Sequence, residues 1–215
     1  LLGTAEVLLY QNKMGGLPTR NWASGVLDGA KSISGQRMAR TILKKRDTCY
    51  ACTVRCKRVV EIADGPHTAR PRYGGPEYET LSTFGSYCGI DNLEAIAHAN
   101  ELCNMYGMDT ISCGATIAWA MDCFEQDLLT VEDTGGIDLS FGNAETVVKL
   151  VEMIGKREGL GDLLAEGVAR AAGRIGKGAE QYAMHVKGQE LPMHEPRGKP
   201  AGAGLSYALS PTGAD

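Results

Sequence analysis

Three cysteines fall within eight residues as Cys49-x-x-Cys52-x-x-x-Cys56. That spacing lets a loop leading into a helical turn aim three thiolates at one inorganic centre. Thiolate-only triplets suit an iron–sulfur cluster better than zinc. A zinc site usually supplies a second Cys or His pair at a similar interval, and here the nearest histidine is His67. Three buried thiols and a zinc site are the competing readings. For the fourth ligand the candidates are Cys88, Cys103, Cys113, Cys123 or a cysteine beyond Asp215. Cys103, Cys113 and Cys123 recur ten residues apart in helical-looking sequence, where cysteine acts as a small hydrophobe, whereas Cys88 precedes Gly89 in a loop. Seven cysteines without a secretory signal argue against a disulfide framework.

A second constellation is Gly74-Gly75-Pro76-Glu77-Tyr78-Glu79. In an extended segment alternate residues share a face, so Glu77 and Glu79 would approach one pocket, where repulsion and desolvation turn one of them into a proton carrier. The alternative is an exposed acidic loop. Gly107-Met108-Asp109 joins two helices and offers a carboxylate and free backbone N–H groups, suited to an amide-bearing heterocycle or, more simply, to capping. His194-Glu195-Pro196-Arg197-Gly198 brings an imidazole, a carboxylate and a guanidinium together, or forms an ordinary ion pair near the surface. His98 reads as a solvated histidine.

The elements that must position these residues are mostly helical. Ser32 to Lys45 reads as an amphipathic helix delivering the chain to the cysteine loop. Asp91, with Glu94 three residues on, caps a helix that carries Leu93, Ile96, Ala97, Asn100, Cys103 and Asn104 and stops at Gly107. Asp109 caps a second, from Thr110 to about Leu129, whose small residues permit close packing. Asn143 caps a third from Ala144 to Gly155, and a fourth runs from Gly161 to Ala172. Strand signals are confined to Lys57 to Ile62 and Tyr182 to Lys187, so the fold class is mainly α.

At 215 residues, 43% hydrophobic and 22% charged, the chain has material for one large domain or two small ones. The formal net charge is -4, with no basic stripe interleaved with aromatics, which excludes a general nucleic-acid binder. No run approaches the length of a membrane span and the opening LLGTAEVLLY lacks signal-peptide flanks, so the expected setting is cytoplasmic. The hydrophobic start without Met and the ending Gly213-Ala214-Asp215 give the expectation of a piece of something longer.

Taken in order, several segments resemble the aldehyde ferredoxin oxidoreductases, tungsten–pterin enzymes that oxidise aldehydes to carboxylic acids. They are Gly3-Thr4, Gly16-Leu17-Pro18-Thr19-Arg20-Asn21-Trp22, the cysteine triplet, Gly75-Pro76-Glu77-Tyr78-Glu79-Thr80, Gly89-Ile90-Asp91-Asn92 and Asn104 to Gly114. Further on come Gly161-Asp162-Leu163-Leu164-Ala165-Glu166-Gly167, Pro196-Arg197-Gly198 and Leu205-Ser206-Tyr207-Ala208. The resemblance implies a multi-helical, two-lobed body: a cluster-bearing helical domain over 1–110, a second helical domain over 111–190 and a return segment to the cofactor side over 191–215. It implies that Cys49, Cys52 and Cys56 hold a four-iron four-sulfur cluster, with the fourth cysteine and a catalytic histidine downstream of Asp215. It places a tungsten (or molybdenum) bis-pterin against Asn104, Gly107, Met108 and Asp109, where Asn and Met replace the first Asp and the Leu of the family's Asp-x-x-Gly-Leu-Asp motif. It sets Glu79, with Glu77 as second choice, near the metal. A ferredoxin or other electron carrier and a small aldehyde are the implied partners, and a homodimer of the full-length protein is compatible with it. The alternatives are a related tungsten enzyme subunit that reduces an aromatic acyl-CoA ring, and a non-enzymatic iron–sulfur electron-transfer module.

Overall fold

A computed structural model describes residues 2–197 and 202–214. Gly198 of the Pro196-Arg197-Gly198 motif, together with Leu1 and Asp215 at the ends of the assigned segments, lies outside the described residues. The described residues are mainly helical, with two small two-stranded antiparallel sheets among them. In order, the elements are α1 (Leu8–Lys13), α2 (Gly35–Thr41), β1 (Leu43–Arg46), β2 (Arg58–Val60), α3 (Tyr78–Leu81), α4 (Leu93–Tyr106), α5 (Thr110–Glu125), α6 (Ala144–Lys156), α7 (Leu160–Leu164), α8 (Val168–Ile175), β3 (His185–Val186), β4 (Gln189–Glu190) and α9 (Gly202–Leu209).

Local chemistry sets most of the long helices. Asp109 accepts from Ser112 N at 2.7 Å and Asn143 from Thr146 N at 3.1 Å, each side chain satisfying a first-turn N–H that the helix leaves unpaired. α4 ends at Gly107, which takes the left-handed conformation (φ 68°) that a Cβ would penalise. The cap of α4 is Asn92, whose amide oxygen accepts from Ala95 N at 3.0 Å; the expected cap, Asp91, lies one residue outside. α5 is buried on nearly every side from Cys113 to Met121 and forms the middle of the core, whereas α6 buries a stripe of Val147, Leu150, Val151 and Ile154. The buried apolar residues form a continuous cluster reaching from Ala5 to Ala214.

Three expectations are corrected. The helix expected over Ser32 to Lys45 stops at Thr41, and Leu43–Arg46 becomes β1 because it pairs with β2, Leu43 opposite Val60 and Arg46 opposite Arg58. The helix expected from Gly161 to Ala172 is two, broken at Gly167, whose φ of 80° no helix accommodates. His98 is half-buried, its Nδ1 2.6 Å from the Thr68 carbonyl oxygen.

Candidate functional site

The cysteine triplet sits at the tip of the β1–β2 hairpin. Asp47 N donates to Lys57 O at 2.9 Å and closes the loop, and Thr48 Oγ1 donates to Cys52 O at 2.5 Å inside it. Ala51 and Arg55, each immediately before a cysteine, are left-handed (φ 54° and 56°), so the backbone is bent twice against its preference to present Cys52 and Cys56. Arg58 lies beneath the loop, 1% exposed, donating from Nε to Cys56 O at 2.9 Å and from Nη2 to Arg55 O at 2.6 Å. A buried guanidinium here offsets the negative charge that three thiolates would bring.

As a donor set the loop fits an iron–sulfur cluster: three unbridged thiols, exposed or half-exposed, on one short hairpin tip. The thiols are not drawn together; among the described residues no three His, Cys, Asp or Glu side chains are gathered to hold a metal ion. The other four cysteines are buried in the core. Burial pushes the Cys88 thiol well above its ordinary value and that of Cys123 up to about 12, and the Cys113 thiol is raised by its hydrogen bond with Cys103 and by burial. Raised in this way, the Cys88, Cys113 and Cys123 thiols are not poised as thiolate ligands.

The second part of the site is α3. Glu77 and Glu79 do not share a face as an extended segment would require. Glu77 is extended (φ -85°, ψ 176°) but the helix begins at Tyr78, whose N–H donates to Thr4 Oγ1 at 2.9 Å, and the Thr4 hydroxyl donates in turn to Glu77 Oε2. Glu79 turns elsewhere. Its Oε2 accepts from Met193 N at 2.7 Å, and its Oε1 lies 3.0 Å from His194 Nε2. The Glu79 carboxylate, accepting from the ring, raises the His194 pKa against an opposing effect of burial. Tyr78 OH donates to Met193 O at 2.5 Å, its ring centroid is 5.2 Å from that of His194, and Gln11 Nε2 lies 3.4 Å from His194 Nδ1. From α9, Tyr207 OH donates to His194 O at 3.2 Å; burial, then Glu79 and Glu195, push the Tyr207 phenol up to about 12.

Gly3-Thr4 joins the two parts. Thr4 holds the start of α3, and a Cβ on Gly3 (φ 63°) would strike the Cys56 carbonyl and come within 3.0 Å of Arg58 Nε. Directly after α3, Ser82–Ser86 forms a π-helical turn in which the Ser82 and Thr83 hydroxyls are buried without hydrogen-bond partners among the described residues. Such turns gather at functional sites, and no sequence signal announced this one.

The remaining candidates are placed as follows. Glu195 and Arg197 form a two-point ion pair (2.7 Å at both bonds) in which the Glu195 side chain is only 6% exposed, and Arg197 also donates to Trp22 O at 2.8 Å. Arg20, Asn21 and Trp22 are all left-handed (φ 47°, 47° and 69°), held there by Asn21, which donates to Asp122 and Tyr182 O and accepts from Tyr87 OH. The Asn104 amide folds back to Asn100 O at 2.8 Å, and Gly107 is the cap of α4. Met108 and Asp109 line a cavity of about 720 Å³, shared with Arg157, Glu166, Arg170 and Lys187. Asn104 and Gly107 are not part of its lining, so the structure brings only half of that group to the cavity. Sequence reasoning misses Gln11, Thr4 and Tyr207 as site residues; Gly3-Thr4 and Leu205-Ser206-Tyr207-Ala208 stand out in it only as segments of resemblance.

Comparison with known proteins matches the whole chain, 1–215, to the family described as aldehyde ferredoxin oxidoreductase, domains 2 & 3. The chain is 42% identical over 214 residues to a tungsten-containing aldehyde ferredoxin oxidoreductase of Pyrococcus abyssi and, equally, to one of Pyrococcus horikoshii; each match covers 98% of this chain and 34% of the relative. The chain thus spans about a third of the length of the curated relatives it matches. Among solved structures it is similar in fold to a chain of the active site complex BamBC of benzoyl coenzyme A reductase in complex with 1,5-dienoyl-CoA, with a TM-score of 0.69 and 21% identity, covering 90% of this chain and 28% of that one. No helix among the described residues is long and apolar enough to cross a membrane.

Proposed function

The chain belongs to the aldehyde ferredoxin oxidoreductase family, and from that premise we propose that it is the helical portion of a tungsten–pterin, iron–sulfur oxidoreductase that converts an aldehyde and water to a carboxylic acid. The reaction releases two protons and two electrons. When bound, the tungsten–pterin supplies the two-electron redox chemistry and the cluster passes electrons on singly to a ferredoxin-type carrier.

The chain's own residues divide the work. Cys49, Cys52 and Cys56 would hold a four-iron four-sulfur cluster, and the buried Arg58 guanidinium would balance its charge. Glu79 accepts and returns protons, and His194, which its carboxylate keeps readily protonated, holds the other end of the relay. Glu77 is retained by Thr4 as a support of α3 and not as the proton carrier. Met108 and Asp109, which line the cavity, form the rim of the cofactor side, with Asn104 and Gly107 just before them in the chain. One observation carries this reading: the cysteine hairpin and the start of α3, the helix that bears Glu79, both pack on two consecutive residues, Gly3 and Thr4. A proton-handling pair beside an electron exit is what a dehydrogenation needs.

The test is turnover by full-length protein purified without oxygen. Aliphatic aldehydes should be oxidised with two electrons delivered to the acceptor per aldehyde. Turnover confined to aromatic acyl-CoA thioesters would overturn the assignment in favour of the ring-reducing relative.

A further inference from the structure

The backbone around His194 is held from two helices. Met193 is clamped at both of its backbone atoms by consecutive residues of α3: its N–H donates to Glu79 Oε2 at 2.7 Å and its carbonyl accepts from Tyr78 OH at 2.5 Å. His194 N donates to Pro192 O at 2.7 Å, and His194 O accepts from Tyr207 OH of α9 at 3.2 Å. The ring itself is left to the partners of its two nitrogens. Nε2 lies 3.0 Å from Glu79 Oε1, and Nδ1 lies 3.4 Å from Nε2 of Gln11, which stands 183 residues earlier in the last turn of α1. Among the described residues, the titratable or charged groups that face His194 are Tyr78 and Glu79 from α3, Tyr207 from α9 and, on its own segment, Glu195, which is engaged by Arg197.

In a neutral imidazole one nitrogen carries the proton and the other accepts, and the hydrogen bond made at one decides the state of the other. A primary amide can meet Nδ1 in either sense, because its donor and acceptor exchange places on a half-turn. With the amide nitrogen toward Nδ1, as found here, the ring proton stays on Nε2, and Nε2 cannot take another from Glu79. With the amide oxygen toward Nδ1 the ring keeps its proton there, and Nε2 is free to receive one. Gly16 leaves room for the turn. The chain doubles back after α1 so that Gly16 N donates to Gln11 O at 2.8 Å, and a Cβ on Gly16 would stand 2.9 Å from Gln11 Oε1. We propose that Gln11 is a positioning residue that sets the tautomer of His194, and so decides when the ring can take a proton from Glu79, with Gly16 kept bare to let its amide turn. The proposal rests on the reading of Glu79 and His194 as a proton relay and adds what controls it. In the step concerned the Glu79 carboxyl O–H bond breaks as an N–H bond forms at Nε2, leaving a carboxylate beside an imidazolium whose Nδ1–H donates to Gln11 Oε1. The imidazolium then releases one proton to water.

The test uses full-length protein purified without oxygen, with aliphatic-aldehyde turnover followed across pH and NMR of histidine-labelled protein, in which protonated and bare ring nitrogens resonate apart. Gln11→Met keeps the bulk and loses both donor and acceptor. Its kcat should fall about tenfold or more with KM changed less than about twofold, and the His194 ring should show both tautomers. Gln11→Glu can only accept once ionised, so it should hold the proton on Nδ1, move the His194 titration and the limb of the pH profile that it sets to higher pH, and recover more of kcat than Gln11→Met does. Gly16→Ala crowds the amide without removing it, and should lower kcat in the wild-type background while adding nothing to Gln11→Met. Iron and tungsten content and the unfolding midpoint should stay at wild-type values in each, which guards against a folding defect. Wild-type kcat and an unaltered His194 spectrum in Gln11→Met would overturn the proposal. Equal losses in Gln11→Met and Gln11→Glu with no movement of the titration would also overturn it, since a merely structural contact gives that result. Wild-type turnover in Glu79→Gln would instead remove the relay, and the role of Gln11 with it.

Discussion

Gly114 and Gly173 are both helical glycines, yet the structure predicts opposite consequences of giving each a methyl group. Gly114 is buried in α5, against the π-helical turn that continues from the helix bearing Glu79. A Cβ there would run into Thr83 Cγ2 and sit 3.1 Å and 3.2 Å from two carbons of the Phe84 ring, where carbon atoms normally rest about 3.5–4.0 Å apart. Thr83 and Phe84 are themselves 0% exposed, so neither can yield without moving the turn. Overpacking of this kind costs about 1–3 kcal/mol, against a gain of about 1 kcal/mol from replacing Gly by Ala in a helix. With the Thr83 methyl so close, the cost belongs at the upper end, and Gly114→Ala should be destabilised by about 1–2 kcal/mol. Gly173 in α8 is exposed and a Cβ would meet nothing within 4 Å, so Gly173→Ala should gain about 0.5–1 kcal/mol. For a chain of this size the apparent midpoint of thermal unfolding should fall by about 2–8 °C in the first and rise by about 1–4 °C in the second. The assay is thermal unfolding at one scan rate and one cofactor load. A Gly114→Ala protein as stable as wild type would refute the tight packing of α5 on the π turn.

Three further outcomes follow from the site. Glu79→Gln keeps an acceptor for Met193 N but loses the charge, and should lower aldehyde turnover about 10²–10⁴-fold with metal content unchanged; wild-type rates would remove Glu79 from proton transfer. His194 is held above its ordinary pKa by Glu79, so the imidazolium–carboxylate contact is fully present below the unfolded-state value and is lost as pH rises through the raised folded value; in Glu79→Gln the His194 titration seen by NMR should move to lower pH, and an unmoved titration would deny the pairing. Cys52→Ser should abolish the broad visible absorption of the full-length protein and lower its iron, whereas an unchanged spectrum and iron content would dismiss Cys52 as a ligand.

What could be read along the chain was what neighbours in sequence decide. Asp109, Asn143 and Gly107 cap their helices through atoms three or four residues away, and the cysteine triplet is contained in one loop. Sequence falls short where a distant partner decides. Leu43–Arg46 has the composition of a helix end, and only β2 makes it a strand. The start of α3 is capped by Thr4, 74 residues earlier, which nothing around Glu77 and Glu79 announces, so the two carboxylates were assigned a common face that the cap denies them. The His194 segment was visible as chemistry, but its partner Glu79 lies more than a hundred residues away. Asn21 shows the same limit: its left-handed turn is stabilised by Tyr87, Asp122 and Tyr182, none of them near in sequence.

The central claim is that one protein joins a thiolate-held iron cluster on the β1–β2 hairpin to tungsten chemistry beside Glu79 and His194. Elemental analysis of the full-length protein, made and purified without oxygen, tests it most directly. The expected composition is about four irons and one tungsten per chain. Iron without tungsten or molybdenum would leave only an electron carrier, and a protein free of iron would contradict the account at its root.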